Sequence, residues 1–273
     1  MLKARRVTPG SQAPFSPAPL DAVLDAIKAL RPTIVFAPHV ETSSGIILSD
    51  GYLHAVGGAV REVGGLFVLD CIASGTVWVD MQTTNVDILI TAPQKSWSGS
   101  PCCAIVALGE RARTRIEQTS STSFACDLLK WLQIMESYEK GSFAYHATMP
   151  TDTLAVLRDA MLETERLGFA NARAQALLLG AEVRALLPRY GFTSVAAEGY
   201  GAPGVVVSYT ANPAIQSGKA FRSLGLQVAA GVPLQCDEGD DFRTFRIGLF
   251  GLDKLMDRAR TVRSLEDALG ALA

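Results

Sequence analysis

The sequence predicts an α/β chain, with a mainly parallel sheet in a larger N-terminal domain and a smaller α/β unit after it. Three observations carry that expectation. Apolar runs of strand length, Pro32 to Pro38, Gly65 to Leu69 and Val86 to Thr91, alternate with helical repeats up to about Leu108, the pattern of crossover units. Two of these runs lead into ionisable residues, Asp70 and Lys95, at the strand ends where open α/β sheets bind ligands. From Phe124 the periodicity becomes helical, and short strands return around Gly204 and Phe245.

Taken in order, Thr8 to Pro19 holds four prolines and reads as an extended loop. Leu20, Val23, Leu24, Ile27 and Leu30 then repeat at helical spacing, and Pro32-Thr-Ile-Val-Phe-Ala-Pro follows as a buried strand. Val56-Gly-Gly-Ala and Val63-Gly-Gly-Leu bracket the next helix, and Val86-Asp-Ile-Leu-Ile-Thr is a second buried strand. Thr151 is the expected N-cap of a helix running towards Leu167, Gly168 a hinge, and a second helix reaches Leu187 before Pro188 stops it. A last helix from about Leu252 turns Leu265 and Leu269 inward. The domain boundary is expected near Arg166, giving units 1–166 and 167–273.

Apolar surroundings favour the neutral amine of a lysine, a nucleophile for carbonyl carbons, and Lys95 is expected in such surroundings. Asp70 lies twenty-five residues upstream, a spacing that suits neighbouring strand ends. A Schiff-base lysine with an aspartate for a pyridinium nitrogen is the pairing that pyridoxal phosphate (PLP) requires. Other readings stand beside these. Asp70 could cap the turn that follows it, Thr42, Ser43 and Ser44 could be a hydroxyl-rich loop, and Phe242-Arg-Thr-Phe-Arg-Ile could be an amphipathic strand. In that strand Arg243 and Arg246 fall on opposite faces, so one of them points inward. His39 and His146 have no recognisable metal or triad partner and read as structural.

His39-Val-Glu-Thr-Ser-Ser-Gly, Leu69-Asp-Cys-Ile-Ala-Ser-Gly, Ala92-Pro-Gln-Lys, Gly109-Glu-Arg-Ala, Tyr145-His-Ala-Thr-Met-Pro and Phe245-Arg-Ile-Gly-Leu-Phe-Gly occur in this order. This set resembles the class V aminotransferases of PLP fold type I, close to the alanine–glyoxylate and serine–pyruvate group, over nearly the whole chain. The resemblance implies that Lys95 holds the cofactor and moves the α-proton, Asp70 pairs with the pyridine nitrogen, Gln94 lies by the phosphate and Thr42 bonds the ring-oxygen side. It implies that Arg246 grips the substrate carboxylate, and that Tyr145 and Thr148 reach the cofactor phosphate of a partner subunit, hence a homodimer. The implied reaction transfers an amino group from alanine or serine to glyoxylate or pyruvate. PLP lyases and desulfurases of the same fold typically carry a histidine before the lysine, where Gln94 stands here.

The resemblance begins inside the family's large domain, so the sheet is expected to be incomplete at its N-terminal side, without the small-residue phosphate turn and the ring-stacking aromatic. A truncated or split aminotransferase, completed by a chain carrying that segment, is the alternative expectation. Charge −2 and a pI near 6.0 give no attraction to nucleic acid or anionic membrane. No apolar run is long enough to span a bilayer, and no signal core follows Lys3 to Arg6. Five cysteines without zinc spacing suit reduced thiols in a cytoplasmic protein with no bound metal. The adjacent Cys102 and Cys103 are expected on opposite sides of a strand, which argues against a redox motif.

Overall fold

The computed structural model describes residues 3–272, so Met1 and Leu2 of the basic opening lie outside the described residues. The chain opens with the short pair β1 (Arg5–Arg6) and β2 (Phe15–Ser16), then α1 (Leu20–Leu30), at the bounds that the apolar spacing predicts. Next come β3 (Ile34–Pro38), the hairpin strands β4 (Val40–Glu41) and β5 (Ile46–Ile47), α2 (Asp50–Glu62) and β6 (Leu66–Asp70). They lead to β7 (Ile88–Thr91), the one-turn helix α3 (Pro93–Ser96), β8 (Ile105–Leu108) and the helices α4 (Glu110–Glu117) and α5 (Leu128–Glu139). Two long helices follow, α6 (Thr151–Leu167) and α7 (Phe169–Leu186). The C-terminal part comprises β9 (Val205–Tyr209), α8 (Pro213–Gln216), α9 (Lys219–Ser223), β10 (Ala229–Ala230), β11 (Thr244–Gly248), α10 (Leu252–Met256) and α11 (Arg258–Leu272).

The first sheet runs β3-β6-β7-β8, with β3, β6 and β7 parallel and β8 antiparallel. The expected mixed α/β fold with a mainly parallel sheet is therefore present. Helices α1 and α2 close one face over Ile27, Leu53, Val60, Phe67 and Leu69. The fit is tight where α2 crosses the turn before β7. A Cβ on Gly57 would stand 2.6 Å from the Asn85 Cβ, so this contact admits only hydrogen at that position.

Several details depart from the sequence expectations. The pair Gly57-Gly58 lies inside α2 instead of bracketing it, and Gly64, at a φ of 80°, follows the helix end. Strand β3 is an edge, so it is not buried: Ile34 and Phe36 stand 46% and 71% exposed because β6 is its one ladder partner among the described residues. Along β7, Ile88, Leu89 and Ile90 are half-buried. Pro150 is the N-cap position of α6, one residue before Thr151, and no side chain caps that end. The final helical segment breaks at Asp257, which separates α10 from α11.

The second sheet runs β10-β11-β9, all antiparallel. Phe245 and Ile247 pack with Val206, α7 and α11 on one face, where Leu265 and Leu269 are buried as expected. Val205, Val207 and Tyr209 face the other way and bury the β4–β5 hairpin and Phe15. Phe15 N–H donates to Val195 O and Ala197 N–H to Phe15 O, so the opening segment is stitched onto the C-terminal part. The Ala202 and Ile47 N–H groups, donating to Gly45 O and Tyr200 O, dock the hairpin there too.

Two buried polar groups hold the first sheet in register. At its lower end Asp87 is 2% exposed and takes both carboxylate oxygens to Arg111 Nη1 at 2.8 Å, while Oδ2 also accepts from the Phe67 N–H. Arg111 Nη2 continues to Gly65 O at 2.7 Å, and the Asp87 carbonyl accepts from Gly109. The starts of β6 and β7 and the end of β8 are thus tied to one residue, Asp87, through its carboxylate and its carbonyl. At the upper end His39 is 1% exposed, with Nδ1 2.8 Å from Ser74 Oγ and its backbone N–H donating to Asp70 O. His39 therefore joins the segment before Thr42 to the loop after Asp70, which is a structural role as expected.

Both groups contribute to stability. Arg111→Leu leaves the buried carboxylate only the longer contact with Arg61, 3.8 Å away, and should cost about 3 kcal/mol in urea unfolding. Burial pulls the His39 imidazole down to about 4, although Asp50 and the Leu48 backbone oppose the shift. Between about 6.5 and 4 the unfolded chain then binds a proton that the folded chain excludes, so stability is full above that window and falls as pH drops through it. The loss should reach up to about 3 kcal/mol, and unfolding curves across pH should show it diminished in His39→Asn.

Candidate active site

Asp70 and Lys95 leave the sheet at the same edge. Strands β6 and β7 are parallel with Asp70 level with Ile90, and α3 begins two residues beyond the end of β7, placing Lys95 past the strand end. Pro93 opens that short helix at a position where the missing N–H costs nothing, and it turns the chain out of the sheet. Lys95 is consequently half-buried rather than enclosed in apolar core. Its ammonium lies 5.1 Å from the centroid of the Phe250 ring, a cation–π contact.

A narrow crevice of about 10 Å³, room for roughly one water, opens beside this ammonium. Ser74, Gly75 and Thr76 from the loop after Asp70 form one wall, and Pro203, Gly204 and Phe250 from the C-terminal part form the other. Gly204 is required here because a Cβ would stand 2.9 Å from the Phe250 ring. A larger groove of about 600 Å³ runs along the open side of β3, among Leu30, Ile34 and Phe36, and does not include Lys95.

Asp70 is exposed, and its Oδ1 accepts from the Ile72 N–H at 2.9 Å. The turn-capping role open to it in the sequence is thus real, and it occupies one oxygen, leaving Oδ2 without a hydrogen-bond partner among the described residues. Thr42 sits in the β4–β5 turn, half-buried, and its hydroxyl is likewise unpartnered among the described residues. The turn itself is held by Glu41, whose Oε1 accepts from the Ser43 N–H and hydroxyl. Gln94 is exposed beside Lys95.

Arg246 is half-buried between Phe245 and Ile247, whose side chains point into the opposite face. Its cross-strand partner is Val207, which packs with the β4–β5 hairpin, so Arg246 and the Thr42 turn share one side of the second sheet. Its Nε donates to Ala230 O at 2.8 Å, which fixes the guanidinium plane and leaves it without a carboxylate partner among the described residues. Arg243, just before β11, is exposed, so Arg246 is the more buried of the two arginines. Tyr145 and Thr148 stand apart from this crevice in an exposed loop, with Tyr145 75% exposed and its hydroxyl 3.2 Å from Thr148 Oγ1. His146 in the same loop stacks on Phe124 and bonds its carbonyl, a structural role.

The Lys95 amine and Asp70 Oδ2, each without a hydrogen-bond partner among the described residues, therefore lie at one edge of the first sheet, and the Thr42 hydroxyl, likewise unpartnered, lies in the β4–β5 turn that docks on the second sheet. That donor set fits the aldehyde, ring nitrogen and ring oxygen of PLP. Sequence reading did not single out the supports. Phe250 lies within the quoted Phe245-Arg-Ile-Gly-Leu-Phe-Gly motif but carries no polar group to draw notice. Trp97, two residues past Lys95, packs 5.0 Å from Trp78, and both meet Phe169 at the start of α7. Trp78 Nε1 donates to Phe169 O at 3.0 Å, which anchors α3 to the helical layer. Groups of three or more metal-ligating side chains are absent among the described residues, and no described helix is long and apolar enough to cross a membrane.

No family model matches the chain. It is 24% identical over 274 residues to the alanine–glyoxylate aminotransferase of Felis catus, covering 97% of this chain and 64% of that protein. It is 27% identical over 259 residues to the 2-aminoethylphosphonate–pyruvate transaminase of Syntrophobacter fumaroxidans, covering 91% and 66%. Among solved structures, an alanine–glyoxylate aminotransferase from Nostoc sp. superposes with a TM-score of 0.78 at 23% identity, over 93% of this chain and 66% of that one. A pyridoxamine–pyruvate aminotransferase from Mesorhizobium loti gives 0.77 at 20%, over 93% and 64%. The chain thus spans 64% to 66% of the length of these relatives. In sequence and fold together, the chain is similar to these aminotransferases, in line with the resemblance to class V of PLP fold type I.

Proposed function

We propose that this chain carries the lysine-centred site of a PLP-dependent aminotransferase, moving an amino group from a small amino acid, such as alanine or serine, to glyoxylate or pyruvate. The observation that carries this reading is the placement of the Lys95 amine and the Asp70 carboxylate at one edge of the parallel sheet, on a fold shared with aminotransferases. The names of the relatives support a glyoxylate or pyruvate acceptor. They differ in donor, so 2-aminoethylphosphonate belongs in the same substrate screen as alanine and serine.

When bound, PLP supplies an electron sink conjugated to the substrate α-carbon. Each residue then has a defined task. Lys95 Nζ would hold the cofactor through its aldehyde carbon, and its free amine would carry the substrate α-proton. Asp70 Oδ2 would keep the ring nitrogen protonated, since a carboxylate stabilises an adjacent cation. Thr42 Oγ1 would hold the ring-oxygen side, and Gln94 would serve the phosphate. Arg246 offers its two terminal nitrogens to the substrate carboxylate as a planar fork, with Nε already held by Ala230 O. Tyr145 and Thr148 serve the cofactor phosphate of a second subunit in a homodimer, a role that suits their exposed loop. Free thiols at all five cysteines suit a reducing compartment such as the cytoplasm. The working division of the chain is 1–166 for cofactor and 167–273 for the smaller unit.

Borohydride reduction in the presence of PLP tests the central claim. A pyridoxyl mass confined to the peptide containing Lys95, and absent in Lys95→Ala, is the expected result. No specific adduct, or one spread over surface lysines, would refute cofactor binding by this chain. In steady-state assays Arg246→Lys should raise KM for the amino donor by about 10- to 100-fold, the worth of charged hydrogen bonds, while the pyridoxyl adduct at Lys95 persists.

A further inference from the structure

Cys102 and Cys103 lie in the irregular segment between α3 and β8, after Pro101 and before the strand begins at Ile105. Alternation along a strand would send these neighbours to opposite sides. The structure does the reverse. The Cys102 thiol donates to Cys103 Sγ across 3.8 Å, because the pair precedes β8 and its backbone is not held to strand geometry. Both side chains are half-buried and reach the surface. Cys71 is buried, Cys126 exposed and Cys236 half-buried, and none of the three has a second thiol as hydrogen-bond neighbour among the described residues.

We propose that Cys102 and Cys103 form a vicinal-dithiol site that takes one trivalent thiophilic centre across both sulfurs, with trivalent arsenicals as the ligand class. Two features select a bridging atom. A direct disulfide needs sulfurs about 2.05 Å apart and usually Cα atoms at least about 4.4 Å apart, whereas adjacent residues fix the Cα atoms about 3.8 Å apart. A bridging atom bonded to both sulfurs spans the existing gap without closing it to a bond length. A zinc ion, by contrast, takes about four ligands, and no group of three or more candidate ligands exists among the described residues.

The chemistry balances without an oxidant. An arsenoxide, R–As=O, condenses with two thiols: two As–S bonds form, the As=O double bond and the two S–H bonds break, and the oxygen leaves as water with the two thiol protons. No electrons are transferred. Burial, with the neighbouring Cys102 adding to it, raises the Cys103 thiol to about 11, so it is protonated at neutral pH, and condensation removes that proton in the water released. The second As–S bond is intramolecular, which multiplies the retention of the adduct through effective concentration. The site lies seven residues beyond Lys95, and the intervening Gly99 rests against Leu157 of α6 and Pro93 of α3, so a bridge would tether the segment that leaves the Lys95 helix.

Phenylarsine oxide on the full-length chain tests this. One phenylarsenic per chain should map to the peptide containing Cys102 and Cys103, withstand excess monothiol and come off with 2,3-dimercaptopropanol. In Cys102→Ser and in Cys103→Ser, retention against monothiol should fall by about 100-fold. Independently of the variants, one equivalent should protect both cysteines of the unmodified protein from iodoacetamide. Equal retention in the serine variants, or protection of one or neither cysteine, would overturn the proposal.

Discussion

The Asp87 carboxylate, buried at the lower end of the first sheet, is the constraint on which the candidate site depends. Bound by Arg111 and by the Phe67 amide, it fixes where β6 and β7 begin relative to each other, and the adjacent Gly109 contact ties in β8. Parallel strands started in register end in register, so Asp70 comes out level with Ile90 at the opposite edge. A slip of one residue would turn every side chain of a strand to its other face and carry Asp70 away from the Lys95 helix. The placement of the site is thus set at the end of the sheet farthest from its chemistry.

The upper edge is held by a different device. His39 and Ser74 join the segments before Thr42 and after Asp70, while Trp78, Trp97 and Phe169 pin α3 to the helical layer. The hairpin carrying Thr42 is hydrogen-bonded to Tyr200 and Ala202 in the segment leading into β9, and the sheet of β9 carries Arg246. Residues distant in sequence, Thr42, Asp70, Lys95 and Arg246, are therefore mounted on elements that brace one another. Under the proposed function, such rigid mounting would let these groups act in concert on one substrate.

What is legible in the sequence follows local periodicity and local chemistry. The repeat of Leu20, Val23, Leu24, Ile27 and Leu30 specifies a helix at its observed bounds, and the apolar run ending at Asp70 specifies β6. Properties set by partners far along the chain are not legible. Nothing near Asp87 announces that Arg111 will meet it, because the pairing exists only once three strands are aligned. The exposure of Pro32–Pro38 is hidden because an apolar run does not say whether its strand is central or an edge. Cys102 and Cys103 escape the alternation expected of them because they lie before β8 begins, where no ladder sets the pleat.

The edge position of β3 also bears on how this protein behaves at high concentration. Its outer backbone groups form no ladder among the described residues, and the neighbouring Leu30, Ile34 and Phe36 side chains are exposed. Such an edge offers both directional hydrogen bonds and apolar contact to any extended segment, with no lysine within the strand to repel it. The net charge of −2 would oppose such pairing only weakly, so the strand's own edge chemistry sets how readily an extended segment could add to it.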